Sequence, residues 1–310
     1  MQITVTEEHN GMQLGQFLRR VLGFSTKMIK HLKFEENGIL VNGTHVTVRH
    51  TLQSGDRLSL ATEDRESAPI EPIDLPLCIL YEDADIVVPA KPANMPTHPS
   101  CDHHNDTVAN ALAFRYRQSA TPFVFRPINR LDRNTSGLLL VARNRVAAGK
   151  LSAFMRMGRI QKTYLAVLDG ELPMGDGQID AYLHRTAQSI ILREVCSADA
   201  PDADEAHTLY TVLAVGNGHT LVCARPLTGR THQLRVHFAS IGHPITGDDL
   251  YGKVSDRIAR HALHAHTLCF PHPATACEQT FTAPLPSDME TLIRTYFPLY
   301  ISRLSERSPL

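Results

Sequence analysis

Hydrophobic positions in the first sixty residues recur with helical spacing and then begin to alternate. In residues 14–22 (LGQFLRRVL) and 27–34 (KMIKHLKF) apolar side chains return every three or four positions, which predicts two short amphipathic helices. Residues 38–50 (GILVNGTHVTVRH) alternate around Asn42-Gly43, a dipeptide typical of a tight turn between two strands. The pattern predicts a small helix–helix–hairpin unit over residues 1–60.

The rest of the chain is dominated by strand patterns. Residues 61–76 are acidic, contain proline and show no apolar periodicity, so they are predicted to be a linker. Residues 77–300 contain many strand patterns and two helices, expected to begin behind Asp106 and Asn144. Because strands and helices do not alternate regularly, we expect an α+β fold with a mainly antiparallel, mixed sheet flanked by helices and loops. Residues 301–310 form a C-terminal tail.

Composition narrows the classes of protein that fit. The chain has 310 residues, of which 43% are hydrophobic and 20% charged, enough to bury a full core. No apolar run is long enough to span a bilayer, and the first residues lack a secretory signal pattern. The six cysteines are scattered, which favours a reducing cytoplasm. No phosphate-binding glycine loop supports a nucleotide cofactor, and His264 and His266 fit a packed strand end better than a metal site.

Basic residues are concentrated near the N-terminus although the net charge is only −1. The cluster has two interpretations: it contacts RNA phosphates, or it is the solvated face of an ordinary amphipathic helix pair. Its members as candidate RNA contacts are Arg19, Arg20, Lys27, Lys30 and Lys33.

Two later segments carry more charge than structure alone requires. Residues 126–137 place a charged turn containing Asp132 directly before an apolar run, Leu138 to Ala142, that is predicted to be a buried strand. In residues 227–252, the run QLRVHF would, as a strand, put Arg235 on one face with two other polar side chains. A buried arginine needs an anion, so Arg235 requires either solvent or a carboxylate, for which Asp132 is a candidate.

The motifs in these segments resemble a known enzyme family. NRLDRNTSGLLLVAR closely resembles a signature of the RluA-type pseudouridine synthases, and TGRTHQLRVHFASIGHPITGDDLYG is similar to that family's second long signature. Further segments (LYEDADIVVPAKPANMPTHP, KTYLAVLDG, LHAHTLCFPHP, FTAPLPSD) resemble other family segments in the same order. The N-terminal unit resembles the αL-type RNA-binding domain that several members carry. The likeness extends from about Leu14 to Asp288.

The resemblance implies that the chain converts uridine within RNA to pseudouridine without a cofactor or metal. It implies that Asp132 is the essential carboxylate, which either attacks the ribose anomeric carbon or removes a sugar proton. Arg235 would keep that acid ionised, Tyr164 would stack on the target base and assist the last proton removal, and Arg130 would fill the vacated stack. Weaker candidates for phosphate contact or cleft support are Lys162 and Arg230.

Three residues depart from the family's commonest pattern, which has His at the place of Asn129 and Asn-Lys-Pro-x-Gly where Ala90 and Asn94 stand in AKPAN. Two other functions remain open at this stage: a non-catalytic RNA-binding or chaperone protein on the same fold, and a glycoside hydrolase using Asp248 or Asp249 as a second acid. Ribosomal RNA is the favoured target by analogy with relatives that have the N-terminal domain, with transfer RNA as the alternative. A monomer is the default expectation.

Overall fold

The computed structural model describes residues 1–24, 26–35, 37–62, 70–100, 102–118, 123–187, 189, 191–298 and 300. The first sixty residues contain a small sheet with its own apolar core. Helix α1 (Leu14–Gln16) continues as a single-turn π-helix over Phe17–Val21, and α2 spans Thr26–Phe34. Strands β1 (Gln2–Thr4), β2 (Ile39–Val41), β3 (Thr44–His45) and β4 (Arg57–Leu60) form an antiparallel sheet in the order β1-β4-β2-β3.

The predicted hairpin turn lies between β2 and β3. Asn42 and Gly43 both have positive φ, 51° and 82°, the conformation that a two-residue primed turn requires. Buried side chains of both helices meet those of the sheet, among them Leu14, Leu18 and Leu32. The helices are therefore held by packing onto the sheet, since pieces this short are unstable alone.

The larger sheet has twelve strands and is antiparallel except at one junction. Its central path runs β12-β11-β13-β14-β10-β15-β8-β6-β9-β7, with β16 paired to β15 and β5 to β6. The pairing of β8 with β15 is parallel. The strands are β5 (Cys78–Glu82), β6 (Ile86–Lys91), β7 (Arg126–Pro127), β8 (Ser136–Leu138), β9 (Val141–Ala142), β10 (Gln161–Asp169), β11 (Gly175–Arg185), β12 (Arg193–Cys196), β13 (Asp204–Gly216), β14 (His219–Pro226), β15 (Leu263–Pro271) and β16 (Glu278–Thr282). The predicted α+β class with a mainly antiparallel, mixed sheet is confirmed.

Four helices lie along this sheet: α3 (Val108–Arg115), α4 (Arg145–Arg156), α5 (Gln233–Ser240) and α6 (Ser287–Tyr296). Asn144 caps α4 as predicted, its side chain accepting the backbone N–H of Ala147. The predicted cap of α3 was wrong by one residue. Thr107 caps that helix in a reciprocal capping box with Asn110, whereas Asp106 hydrogen-bonds His103.

The apolar run Leu138 to Ala142 is not one strand, contrary to expectation. It is divided between β8 and β9 because the chain changes partners there: β8 pairs with β15 and the end of β6, and β9 with β7 and the start of β6. The side chain of Asn129 spans the break, donating to the carbonyl of Leu138 and accepting the N–H of Leu140. The amide thus satisfies backbone groups that a strand partner would otherwise take.

The run QLRVHF is helical and not a strand. Residues Gln233 to Phe238 are all buried within α5. A helix that is buried on every side has no single apolar face, so its sequence need not show helical periodicity. In QLRVHF the polar and apolar residues happen to alternate, which is the pattern of a strand. The strand-based expectation that Gln233, Arg235 and His237 share one face is therefore wrong.

The segment between the two sheets is only partly described. Residues 63–69 of the predicted linker, and all of the predicted tail 301–310, lie outside the described residues. Just after the gap, the Glu71 carbonyl accepts the side-chain N–H of Asn110, and Leu75 packs against the core of the larger sheet. This end of the linker therefore belongs structurally to the larger sheet. Over the described ranges, no helix is both long and apolar enough to cross a membrane.

Candidate active site

A cleft of about 1300 Å³ opens beside the loop that joins β7 to β8. It is lined by that loop, by the start of β10 and by residues 225–235, which lead from β14 into α5. Six of the side chains singled out from the sequence come together here: Arg130, Asp132, Lys162, Tyr164, Arg230 and Arg235. Residues far apart in the chain thus share one cavity large enough for a nucleotide and its neighbours.

The loop that carries Asp132 is anchored by hydrogen bonds to residues 260–264. The hydroxyl of Thr135 hydrogen-bonds Nε2 of His261, and Ser136 Oγ hydrogen-bonds Nδ1 of His264, at 2.8 and 2.9 Å. Arg260 donates to the carbonyl of Asn134. The Thr-Ser pair therefore fixes the turn, and both hydroxyls are engaged by histidine side chains.

Gly137 allows the loop to approach β15 closely. Its φ is 115°, and a Cβ there would lie 2.2 Å from the carbonyl oxygen of Ala265. No other residue type fits a position with both this backbone angle and this contact. Asp132 is consequently carried by a loop whose end is fixed to the neighbouring strand.

Arg235 pairs with two acids of different environment. Its Nε and Nη2 each lie 2.7 Å from an oxygen of Asp248, a fully buried carboxylate, while Nη1 lies 3.6 Å from Oδ2 of Asp132. Burial opposes the charge on Arg235, but hydrogen bonds and attraction to Asp248 outweigh it and raise the pKa of the guanidinium. Burial opposes ionisation of Asp248 too, yet Arg235 holds its pKa below the usual range. The sequence had suggested Asp132 as the partner of Arg235, but the tighter partner is Asp248.

Tyr164 lies at the inner wall of the cleft on β10, between β14 and β15. The residue is 8% exposed, and the strand bulges between Thr163 and Tyr164. Burial, followed by the negative charge of Asp132, raises the pKa of the Tyr164 hydroxyl. The group is therefore a neutral phenol at neutral pH, close to the acid.

The rim of the cleft is cationic. Arg130 is exposed at its edge, and Arg230 binds Asp204 at 2.9 Å while still reaching solvent. Lys162, at the start of β10, also lines the cleft, and burial lowers the pKa of its ammonium group. Two arginines that the sequence reading did not single out, Arg156 and Arg225, also line the cavity and are exposed. Among the described lining residues, six cationic side chains surround one carboxylate, Asp132.

The basic residues of the N-terminal unit do not line this cleft. Arg19, Arg20, Lys30 and Lys33 are exposed on its two helices. The side chain of Lys27 lies outside the described residues. The four exposed side chains therefore lie on the N-terminal unit and are not part of the cleft lining.

The motif departures have structural explanations. Asn129 closes the gap between β8 and β9, as described above. Asn94 has φ of 61°, the left-handed conformation in which asparagine is the best substitute for the glycine of the commonest motif. Ala90 lies in β6 opposite Cys78 and Leu138. Asn129 and Asn94 thus stand at positions that shape the backbone, whereas Ala90 is an ordinary strand position; Asn129 also lines the cleft.

Sequence reasoning missed several groups around Asp132. Lys91 is 1% exposed, and its ammonium donates to three carbonyls, including that of Arg133 next to the acid. The Nε2 of His232 lies 3.9 Å from Oδ2 of Asp132, and the hydroxyl of Tyr251 lies 2.8 Å from Nδ1 of His232. In the sequence, the only indication that these three residues belong to the site is that each lies within a segment that resembles a family motif.

One group of side chains away from the cleft has the composition of a metal site. Oxygens of Asp83 and Asp85 and a nitrogen of His272 lie within 4.8 Å of one another. These atoms already have partners, since Asp83 accepts from Tyr81 and binds His272, and Asp85 accepts from Asn144. The arrangement is that of a hydrogen-bonded cluster tying β5 to the end of β15.

Protein-family models match both the segment that forms the small sheet and part of the segment that forms the large sheet. Residues 85–240 match the sequence model of a family described as RNA pseudouridylate synthase, and residues 1–58 that of the RluD ribosomal pseudouridine synthase N-terminal domain. Fold, cleft and matches together define an RNA-modifying enzyme. The chain belongs to the RNA pseudouridylate synthase family, and it is an RNA pseudouridine synthase.

Individual relatives agree over nearly the whole length. An uncharacterized RNA pseudouridine synthase of Bacillus subtilis, YjbO, is 38% identical over 88% of this chain and 95% of its own. Ribosomal large subunit pseudouridine synthase D of Escherichia coli K12 is 33% identical over 94% of both chains. Among solved structures, human RNA pseudouridylate synthase domain containing 1 is similar with a TM-score of 0.58 and 27% identity, covering 79% of this chain and all of that one.

Proposed function

We propose that the protein converts uridine to pseudouridine in ribosomal RNA, with Asp132 as the reacting carboxylate and without a cofactor. The observation that supports the role of Asp132 is that it is the one carboxylate among six cationic side chains in the described lining of the cleft. A polyanion enters such a cavity readily, and an acid placed there serves chemistry, because it would only weaken the binding of RNA.

The chemistry needs the uracil to leave ribose and return through carbon 5. In one route Asp132 attacks the anomeric carbon as the bond to N1 breaks, and an ester forms between them; in the other it takes a sugar proton as that same bond breaks, and a glycal forms. In both, carbon 5 then bonds to the anomeric carbon, which breaks the ester in the first route and takes the sugar proton back from Asp132 in the second. The hydrogen on carbon 5 is lost as a proton, and N1 gains a proton. The charge of Asp132 contributes to the raised pKa of Tyr164, so the neutral phenol lies close to the acid. We propose that its ring stacks on the base and that its hydroxyl assists the last proton transfer.

The cationic rim is proposed to hold the extruded nucleotide and its neighbours. Extrusion of a base costs a few kcal/mol, and we propose that the guanidinium of Arg130, which is exposed, stacks in the gap. Lys162 and Arg230 contact phosphates or support the wall. We further propose that residues 1–60 form a separate RNA-binding domain, through the exposed Arg19, Arg20, Lys30 and Lys33 together with Lys27.

The alternatives are weaker. A glycoside hydrolase uses two acids across the bond, but neither Asp248 nor Asp249 lines the cleft, and Asp248 is committed to Arg235. A non-catalytic RNA binder has no use for Asp132. Ribosomal RNA is preferred to transfer RNA because several relatives, such as the Vibrio cholerae protein at 34% identity, are named ribosomal large subunit pseudouridine synthases. The described cysteines are all free, in keeping with a cytoplasmic protein, which we expect to be a monomer.

The test is to map pseudouridines in total RNA from cells with and without the protein, and from cells complemented with Asp132→Asn. We expect at least one ribosomal site to depend on the protein and to stay unmodified with Asp132→Asn, while purified variant and wild type bind RNA equally. Asp176→Asn, on the distant strand β11, is the matched control and should restore the site. Restoration by Asp132→Asn would refute the role of Asp132, and a dependent site in transfer RNA alone would refute the choice of target.

A further inference from the structure

His232 occupies an unusual backbone position beside Asp132. It precedes α5 with φ of 58° and ψ of 16°, the left-handed region that side chains with a Cβ rarely adopt. Its side chain is only 11% exposed, and its Nε2 lies 3.9 Å from Oδ2 of Asp132. Strained backbone of this kind persists where surrounding structure requires it, often at functional sites.

Hydrogen bonds of Tyr251 determine which ring nitrogen of His232 carries the proton. The hydroxyl oxygen of Tyr251 accepts the backbone N–H of Arg193 at 2.9 Å and lies 2.8 Å from Nδ1 of His232. The oxygen has accepted one hydrogen bond and the hydroxyl retains its own proton, so we assign the hydroxyl as the donor to Nδ1. A neutral ring that accepts at Nδ1 must carry its hydrogen on Nε2, which faces Asp132.

The ring is neutral at neutral pH. Burial lowers the pKa of His232 below its ordinary value, an effect that the nearby Arg235 adds to and Asp132 opposes. The imidazole therefore offers one N–H towards Asp132 and adds no charge to the pair. Arg235 Nη1 approaches the same oxygen, Oδ2, at 3.6 Å.

We propose that His232, held in its Nε2–H form by Tyr251, is a positioning residue that fixes the orientation of the Asp132 carboxylate. Together with Arg235 it draws Oδ2 towards α5 and so orients the carboxylate towards the sugar. The inference rests on the proposed role of Asp132. It assigns His232 and Tyr251 to the rate of the reaction and not to the binding of RNA.

The experiment measures the release of tritium from carbon 5 of uridine under single-turnover conditions. The probe is total RNA labelled at that carbon and taken from cells lacking the protein. We expect His232→Ala to slow release by roughly 10²-fold, the scale of a small misplacement of a reacting group, with RNA affinity unchanged within about twofold. His232→Gln carries an N–H near the place of Nε2 and should recover at least about tenfold of that loss.

Further variants separate positioning from folding. His232→Gly tolerates the left-handed backbone, so it should be at least as stable as His232→Ala and equally slow. Tyr251→Phe frees the ring to take either tautomer and should give an intermediate rate. His184→Gln, in an exposed ion pair with Glu194, is the matched control and should be unchanged.

The outcomes are distinct. Wild-type release by His232→Ala, or equal slowness of the Ala and Gln variants in folded protein, would overturn the positioning role. A loss explained entirely by weaker RNA binding would overturn it as well. If Asp132→Asn itself releases tritium at the wild-type rate, the proposed role of Asp132 is wrong, and the positioning role of His232 is overturned with it.

Discussion

Arg235 and Asp248 form a two-pronged ion pair that is almost completely removed from solvent, with both nitrogen–oxygen distances at 2.7 Å. The pair joins α5 to the turn that follows it. It also leaves Nη1 of the guanidinium pointing to Asp132 at 3.6 Å. The buried Asp248 thus orients the guanidinium that approaches the partly exposed Asp132.

Breaking this pair should destabilise the fold. Asp248→Asn leaves the Arg235 charge buried without its counter-ion, so we expect a loss of about 3–5 kcal/mol in the free energy of unfolding, measured by urea denaturation. Asp249→Asn is the control, because Asp249 is exposed and 3.6 Å from the same guanidinium; it should change stability by less than about 1 kcal/mol. The double change Arg235→Met with Asp248→Leu should regain much of the stability but no activity. Equal effects of the two single changes would contradict this account.

Tyr164→Phe should separate the ring from its hydroxyl. Stacking on the base needs only the ring, so RNA affinity should be kept. The hydroxyl is proposed to assist the removal of the hydrogen from carbon 5, so tritium release should slow by about 10²-fold, within the usual range for a missing proton-transfer group. Quenched single-turnover reactions should then accumulate RNA in which carbon 5 is already joined to ribose. Unchanged release would remove the hydroxyl from the mechanism.

Gly137→Ala should disrupt the junction of β8 with β15. The new Cβ would meet the Ala265 carbonyl at 2.2 Å on a backbone with φ of 115°, so we expect a loss of several kcal/mol, roughly 2–4, from overpacking and strain. Gly149→Ala is the control within α4, where nothing lies within 4 Å of the added carbon. It should stabilise the protein by about 0.5–1 kcal/mol. The two thermal midpoints should therefore move in opposite directions.

Neutralising the helix α2 should reveal whether the N-terminal unit holds RNA. Lys30→Gln with Lys33→Gln should lower the slope of log affinity against log salt by about 0.7 for each phosphate that the variant no longer neutralises. The rate of tritium release from bound RNA should not change, because neither residue lines the cleft. Lys253→Gln, which is exposed on the unit of the larger sheet and also outside the cleft, is the control. An unaltered salt slope would assign these lysines to solvent alone.

Parts of this structure that follow local rules could be predicted from the sequence. Asn42-Gly43 encodes its turn by itself, and the cap of α4 is set by Asn144 and its third neighbour. Helix α5 could not be predicted in the same way, because burial on all sides removes the periodic signal that distinguishes a helix from a strand.

The candidate site divides similarly. The motifs located Asp132, Tyr164 and Arg235, which the fold brings into one cavity. The choice of Asp248 over Asp132 as the close partner of Arg235 depends on how the chain turns after α5, and no sequence spacing encodes that distance. The tautomer proposed for His232 involves a third residue, Arg193, whose backbone N–H donates to the Tyr251 hydroxyl. Such assignments require three-dimensional contacts.

The support of the Asp132 loop by residues 260–265 also bears on when the enzyme first becomes competent. Arg260, which binds the loop at Asn134, is itself held by Asp288 at the start of α6. A chain emerging from the ribosome carries Asp132, the acid proposed to react, long before it carries these anchors, and domains fold as units once they have emerged. An incomplete chain therefore holds the acid on an unsupported loop. Uridines should stay untouched until synthesis has passed the last helix.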